Sequence, residues 1–173
     1  MGDPNKYLEI EPTFSADGVP VPPFTNNDRA NQLVGRDSNA LLIGLVLDQQ
    51  ISMGKAFAGP YELKQRLGHI NPRKIAALPE DDFLEVIRES PAIHRYPKSM
   101  GRRVQDACRV VVEDYRGKAE NIWKDQPDAR AVVKRIGTVP GIGPTKLALL
   151  LLVRYYAKDI PGWREAAPIE LPA

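Results

Sequence analysis

The chain has 173 residues, with 24 basic and 22 acidic side chains, a net charge of +2 and 43% apolar residues. This composition predicts one globular domain with a hydrophobic core and excludes a disordered tail or a fibre. No window approaches the ~20 apolar residues of a membrane helix, and the N-terminus lacks the pattern of a secretion signal, so we expect a soluble cytoplasmic protein with no membrane partner. One cysteine, Cys108, and two histidines cannot supply the ligands of a structural zinc site or an iron–sulfur cluster.

Residues 1–26 differ from the remainder of the chain in proline content and in helical periodicity. They hold five of the sixteen prolines and show no helical period, which predicts an irregular or short-stranded arm. From Asn27 onward, helix signals alternate with short turns rich in Pro, Gly and Asn. We therefore predict an all-α fold, with residues 27–173 as a single helical domain.

Helix signals follow one another along this domain. The apolar run over residues 40–47, preceded by Asp37 or Ser38 as N-cap, predicts a buried helix because its length and cap disfavour a strand. Further helices are expected over residues 54–67 with Gly68 as the stop, at Pro72 after the cap Asn71, and from Pro79 to about Glu89.

The clearest helical period marks a long amphipathic helix. Its apolar stripe consists of Met100, Val104, Ala107, Cys108, Val111, Val112 and Tyr115. Because Cys108 lies on this stripe, we interpret the thiol as a core residue. Residues 91–118 carry seven basic and three acidic side chains, an excess that suits a phosphate backbone, although a solvated helix face is the alternative interpretation.

Residues 131–156 predict a short helix, a tight turn over residues 140–143 (Pro-Gly-Ile-Gly) and a second helix that begins at Pro144. Two glycines around one apolar residue let the backbone approach a ligand closely, and Ile142 can pack between the helices. Backbone N–H groups at such a turn, with the positive end of the following helix, form an anion site, for which a nucleic-acid phosphate is the natural ligand. The contributing N–H groups are expected from Gly143, Thr145 and Lys146.

The turn over residues 139–146 resembles the hairpin of the helix-hairpin-helix (HhH-GPD) DNA glycosylase superfamily. Residues 41–52, which end in Gln49, Gln50, Ile51 and Ser52, resemble the early helix of that family and its Gln-containing turn, which faces the opened duplex. The stretch Tyr96-Pro97-Lys98-Ser99 resembles the mid-domain segment. The resemblance covers approximately residues 27–166. Within the superfamily, the chain is most similar to bacterial members of base excision repair.

The resemblance implies double-stranded DNA as the partner of a monomeric, nucleoid-associated protein. It implies that no cofactor is required. A monovalent cation bound to the hairpin backbone is compatible with the resemblance. Gln49 and Gln50 are the expected plugs of the opened duplex, the alternative being helix capping and hydrogen bonding to a loop. The predicted DNA-binding residues are Gly141, Ile142, Gly143, Thr145, Lys146, Gln49, Gln50, Arg102 and Arg103.

The resemblance also guides the prediction of chemistry. Family members that cut the strand carry a nucleophilic lysine where this chain has Thr145, and Lys146 is turned by about 100° around the helix, which argues for base removal by water alone. Glu165 lies nearest the register of the catalytic acid, with Asp159 as the alternative and Asp48 as a third choice. A base pocket is predicted from Trp163, Tyr61 and Asp48, although aromatic residues such as Trp163 and Tyr61 more often belong to core or rim packing, which is the alternative interpretation.

These features predict a monofunctional DNA glycosylase that hydrolyses the N-glycosidic bond of a damaged or mismatched base. A non-catalytic helix-hairpin-helix module that binds abasic or distorted DNA is the alternative, since the family aspartate is missing from its usual context. A protein-interaction domain is a third interpretation, and the positive charge of residues 91–118 disfavours it.

Overall fold

A computed structural model describes residues 13–124, 128–142 and Gly162. The described part is mostly helical, which confirms the all-α prediction. It begins with two short antiparallel strands, β1 (Thr13–Phe14) and β2 (Pro20–Val21). The helices are α1 (Asp28–Arg36), α2 (Ser38–Leu47), α3 (Met53–Leu67), α4 (Pro72–Ala77), α5 (Glu80–Arg88), α6 (Pro97–Asp114), a 3₁₀ turn (Ala119–Ile122) and α7 (Ala129–Ile136).

Side-chain caps set the starts of most helices. The carboxylate of Asp37 accepts from the backbone N–H groups of Asn39 and Ala40, so Asp37 rather than Ser38 is the N-cap of α2. Asn71 caps α4 in the same way, and Gly68 ends α3 in the left-handed conformation with φ of 81°. These capping predictions are confirmed, and the observed bounds of α3 and α5 differ from the predicted ones by one residue.

Helix α2 forms the centre of the core. Every residue from Ala40 to Leu47 is buried, because α1, α3 and α6 all pack against this helix. A Cβ on Gly44 would lie 2.4 Å from a ring carbon of Phe57, so the glycine lets α2 and α3 cross closely. The absence of a polar face on α2 explains why its sequence shows no amphipathic period.

Helix α6 is amphipathic, as predicted. Met100, Val104, Ala107, Cys108 and Val111 are buried along one face. Burial raises the pKa of the Cys108 thiol to about 12, so this residue is a core residue and not a reactive thiolate. In the described part of the chain, no helix combines the length and the apolar character that crossing a membrane requires.

The segment that precedes α1 contacts the helical body. A Cβ on Gly35 of α1 would meet the backbone oxygen of Pro20 at 2.1 Å, so β2 lies directly against α1. Arg36 and Asp17 form a two-pronged ion pair, with N–O distances of 2.8 and 2.9 Å. The division into an arm and a domain at residue 26 stays a prediction.

Candidate nucleic-acid interface

The turn after α2 has a defined and unusual backbone. Asp48 has φ of −75° and ψ of 60°, and the N–H of Gln49 donates to the carbonyl of Leu47 at 2.7 Å, which together form an inverse γ-turn. The next residue, Gln50, has φ of 58°, a left-handed conformation that costs a non-glycine residue about 1–2 kcal/mol. The surrounding contacts must therefore hold this turn in place.

The side chain of Gln49 joins this turn to the hairpin. Its amide nitrogen donates to the backbone carbonyls of Val46, at 2.8 Å, and of Gly141. Its amide oxygen accepts from the Arg103 guanidinium at 2.7 Å. Three residues predicted to bind DNA, Gln49, Arg103 and Gly141, therefore meet at one place although they lie far apart in the sequence.

The start of the predicted hairpin packs on α6. Gly141 has φ of 79°, and a Cβ there would lie 3.0 Å from the Cβ of Arg103, so the loop lies against the stem of that side chain. Ile142 is half-buried and packs against the hydrophobic core, while its predicted position between the two helices of the hairpin stays a prediction. The hydroxyl of Tyr115 hydrogen-bonds the Arg135 carbonyl at 3.3 Å, which holds the end of α7. The predicted contributors Gly143, Thr145 and Lys146 lie outside the described residues.

The two glutamines have different surroundings. All the polar atoms of the Gln49 amide engage protein partners, and its side chain is half-buried. Gln50 is exposed, and its side chain makes no hydrogen bond within the described ranges. The Gln49 side chain hydrogen-bonds a loop, which is the alternative interpretation that the sequence offered for the pair.

The two adjacent arginines of α6 also differ. The Arg102 guanidinium is 2.8 Å from the Glu80 carboxylate, and this pairing raises the pKa of Arg102. Arg103 is exposed and has no acidic partner in the part of the chain that the structure describes. Its guanidinium is thus a cation that lies beside both the glutamine turn and the hairpin loop.

A buried histidine, His94, hydrogen-bonds the backbone of the glutamine turn. The Nε2 of His94 lies 3.1 Å from the carbonyl of Leu47 and 3.0 Å from that of Gln49, and its Nδ1 accepts from the N–H of Tyr96 at 2.9 Å. Burial lowers the pKa of His94, and the positive charges of Lys55 and Arg103 act in the same direction. No local pattern in the sequence indicates that His94 contacts the glutamine turn, because 45 residues separate it from Gln49.

Two of the remaining predicted site residues, Tyr61 and Asp48, lie in different surroundings. Tyr61 is half-buried on α3 and lines a surface groove between α1 and α3, to which neither Gln49 nor Gly141 contributes. Asp48 is half-buried at the centre of the γ-turn. Asp159, Trp163 and Glu165 lie outside the described residues.

Among the described residues, no group of three or more His, Cys, Asp or Glu side chains could hold a metal ion. The sequence has one cysteine, Cys108, which is buried in the core, whereas an iron–sulfur cluster held by cysteines takes four thiolates.

Fold and site together define a helical protein that carries a glutamine turn beside a glycine-containing hairpin loop. The family model for the HhH-GPD superfamily base excision DNA repair proteins matches residues 43–155, which include the glutamine turn and the predicted hairpin. This match covers more than half of the chain. The chain therefore belongs to the HhH-GPD superfamily.

Solved structures show the same fold. A non-covalent endonuclease III–DNA complex is 22% identical over 72% of this chain and 50% of its own, with a TM-score of 0.53. A trapped endonuclease III–DNA covalent intermediate is 19% identical over 75% and 56%, with a TM-score of 0.50. A thermostable thymine-DNA glycosylase is 16% identical over 70% and 48%, with a TM-score of 0.50. The chain thus spans about half the length of these structures, and no curated protein matches it.

Proposed function

We propose that this chain is a monofunctional DNA glycosylase that hydrolyses the N-glycosidic bond of a damaged or mismatched base in duplex DNA. The observation that carries the proposal is the contact of Gln49 with Gly141, which joins the glutamine turn and the hairpin loop into one surface. Membership of a base excision repair family supports the same conclusion.

Gln50 is the residue proposed to fill the space that an extruded nucleotide leaves. Base excision from a duplex needs the target nucleotide to leave the stack, and a side chain that enters the gap stabilises the opened state. Gln50 is exposed, and its amide can hydrogen-bond the orphaned base on the opposite strand. Gln49 supports it, because its own amide is already engaged with Val46, Gly141 and Arg103.

The hairpin and Arg103 are proposed to hold the DNA backbone. Backbone N–H groups at a tight turn before a helix bind phosphate oxygens, and we assign this role to those of Gly143, Thr145 and Lys146. Arg103 adds a positive charge beside the same loop. These contacts position the duplex without reading its sequence, so binding should depend strongly on salt.

The proposed chemistry uses water and one carboxylate. Glu165 is our first choice and Asp159 the second; either would accept a proton from the attacking water and stabilise the positive charge that develops on the sugar. The C–N bond breaks, the base leaves and takes up a proton, and the water oxygen bonds to the sugar carbon. Thr145 stands where strand-cutting members have their lysine, so no Schiff base with the sugar is expected.

A non-catalytic module that binds abasic or distorted DNA is the second candidate. It is favoured by one sequence observation, the absence of the family aspartate from its usual context beyond the hairpin. Such a module would need the same DNA contacts and no acid. The two candidates therefore differ only in whether a base is released.

Base release from duplexes that each carry one modified or mismatched base tests the proposal. We expect at least one free base to appear in the mass spectrum with the wild-type chain. Gln50→Ala should release it more slowly, because the opened duplex loses its plug, while Gln65→Ala, an exposed glutamine on α3, serves as the matched control. Tight binding of abasic duplex without any base release would establish the second candidate instead.

A further inference from the structure

The turn that carries Gln50 is clamped by a side chain from a distant segment. His94 lies between α5 and α6 and is fully buried, with 0% of its surface exposed. It reaches the backbone on both sides of Asp48, at the carbonyls of Leu47 and Gln49. No other ring or guanidinium hydrogen-bonds these two carbonyls within the described residues.

The hydrogen bonds of the ring fix its tautomer. Because Nδ1 accepts a hydrogen bond from the N–H of Tyr96, it carries no proton itself. The ring proton is therefore on Nε2, which donates to the carbonyls of Leu47 and Gln49 at 3.1 and 3.0 Å. The Leu47 carbonyl also accepts from the N–H of Gln49 in the γ-turn, so the ring of His94 adds a second hydrogen bond there. For the Gln49 carbonyl, Nε2 is the hydrogen-bond donor in the described part of the chain.

One of these carbonyls belongs to the peptide bond that precedes Gln50. A hydrogen bond that fixes the direction of the Gln49 carbonyl also restricts the φ angle of Gln50. That angle is 58°, a conformation that glutamine does not favour when it is unconstrained. The clamp therefore acts on the one residue of the turn whose backbone is strained.

We infer that His94 is a positioning residue for the glutamine plug: its Nε2–H clamps the turn of residues 47–49 and so holds Gln50 in the conformation that enters the duplex. The inference deepens the proposed function and rests on the role of Gln50 in it. His94 touches neither DNA nor the reacting atoms. Its contribution is to keep the exposed glutamine ready before the duplex arrives, so that binding does not have to order the turn.

Two variants of His94 distinguish the role of Nε2 from the role of Nδ1. His94→Gln places an amide N–H where Nε2 lies and keeps the clamp, while His94→Asn places an oxygen where Nδ1 lies and keeps only the contact with Tyr96. Each is combined with Gln50→Ala. The probe is a duplex with a tetrahydrofuran abasic analogue and 2-aminopurine opposite it, whose fluorescence reports insertion of the plug.

His94→Asn should weaken binding to this probe about fivefold to thirtyfold and reduce its fluorescence change, because the released turn populates the strained conformer less. His94→Gln should behave like wild type. In the Gln50→Ala background, His94→Asn should cause no further loss. Equal losses in the Asn and Gln variants, or losses that add to that of Gln50→Ala, would overturn the inference.

Thermal unfolding without DNA gives an independent test. Gln50→Gly should raise the unfolding midpoint by about 3 °C, since glycine adopts a positive φ without penalty, and this gain should shrink in the His94→Asn background, where the turn can relax. An equal gain in both backgrounds would show that His94 does not hold the turn. If the wild type binds no damaged duplex, the proposed function fails, and this cycle still decides whether the clamp exists.

A third measurement needs no variant. In the wild-type chain at neutral pH, the ring ¹⁵N shifts of His94 should report a neutral imidazole with its proton on Nε2. A ring protonated on Nδ1 could not accept from the Tyr96 N–H, and it would overturn the inference even if both variants failed to fold.

Discussion

The hairpin glycine Gly141 offers a substitution whose cost follows from geometry. An alanine there must keep φ near 79°, which costs an L-residue about 1–2 kcal/mol. Its Cβ would lie 3.0 Å from the Cβ of Arg103 and 3.2 Å from its Cγ and Cδ, closer than ordinary contact, so that side chain must move. Moving it strains the 2.7 Å hydrogen bond to Gln49, worth about 0.5–1.5 kcal/mol. We expect Gly141→Ala to lower the free energy of unfolding by the sum of these two contributions, about 1.5–3.5 kcal/mol.

The matched control is Gly68, which ends α3 with nearly the same φ, 81°, and where an added Cβ would meet no atom within 4 Å. Gly68→Ala should therefore cost only the backbone term, about 1–2 kcal/mol. Urea unfolding followed by circular dichroism measures both variants by linear extrapolation. The difference between them isolates the contact of the loop with Arg103.

Equal destabilisation by the two variants would refute this reasoning. It would mean that the loop does not lie against Arg103 and that the contact between the hairpin and the glutamine turn is absent in solution. A larger loss in Gly141→Ala, accompanied by weaker binding to duplex DNA, would support the arrangement on which the proposed function depends.

Charge, protonation and the predicted acid give three further expected outcomes. Arg103→Ala should lower the slope of log affinity against log salt for duplex DNA by about 1, whereas Arg102→Ala should lower it less because its guanidinium is already paired. Stability should fall as the pH drops below 6.5, the ordinary pKa of histidine, since the unfolded chain then takes up protons that the buried ring of His94 resists; His94→Gln should flatten this part of the profile of unfolding free energy. Glu165→Gln should slow base release about 100-fold to 1000-fold, and Asp159→Asn should leave it nearly unchanged.

Each of these outcomes has a clear contradiction. Equal salt slopes for the two arginine variants would remove Arg103 from the phosphate contacts. An unfolding free energy whose dependence on acid pH is the same with and without His94 would show that its pKa is not lowered by folding. Loss of base release in Asp159→Asn alone would transfer the acid role to Asp159, and full release in both variants would direct attention to Asp48.

Local signals predicted the helices well. Asp37, Asn71 and Gly68 act on groups within a few residues of themselves, so their caps can be predicted from the sequence and the structure confirms them. The burial of Cys108 follows from the helical period of its neighbours in the same way.

The details of the site depended on contacts between distant segments. The sequence presented Gln49 and Gln50 as an equivalent pair, and contacts of Gln49 with distant residues distinguish the two, among them Gly141, 92 residues further along the chain, and Arg103. His94 likewise reaches the glutamine turn across 45 residues. No local pattern encodes such contacts, because they arise from the way α2, α6 and the hairpin pack together.

One measurement tests the central claim, hydrolytic base removal by this chain, most directly. A labelled duplex that contains a base the protein releases is incubated with the wild type, and portions are then treated with hot alkali, with borohydride or with neither. Hydrolysis by water predicts an intact strand without treatment, a strand break after alkali and no covalent protein–DNA adduct after borohydride. A break without alkali, together with a borohydride-trapped adduct, would contradict the account and identify an amine, with Lys146 the first to examine, as the nucleophile.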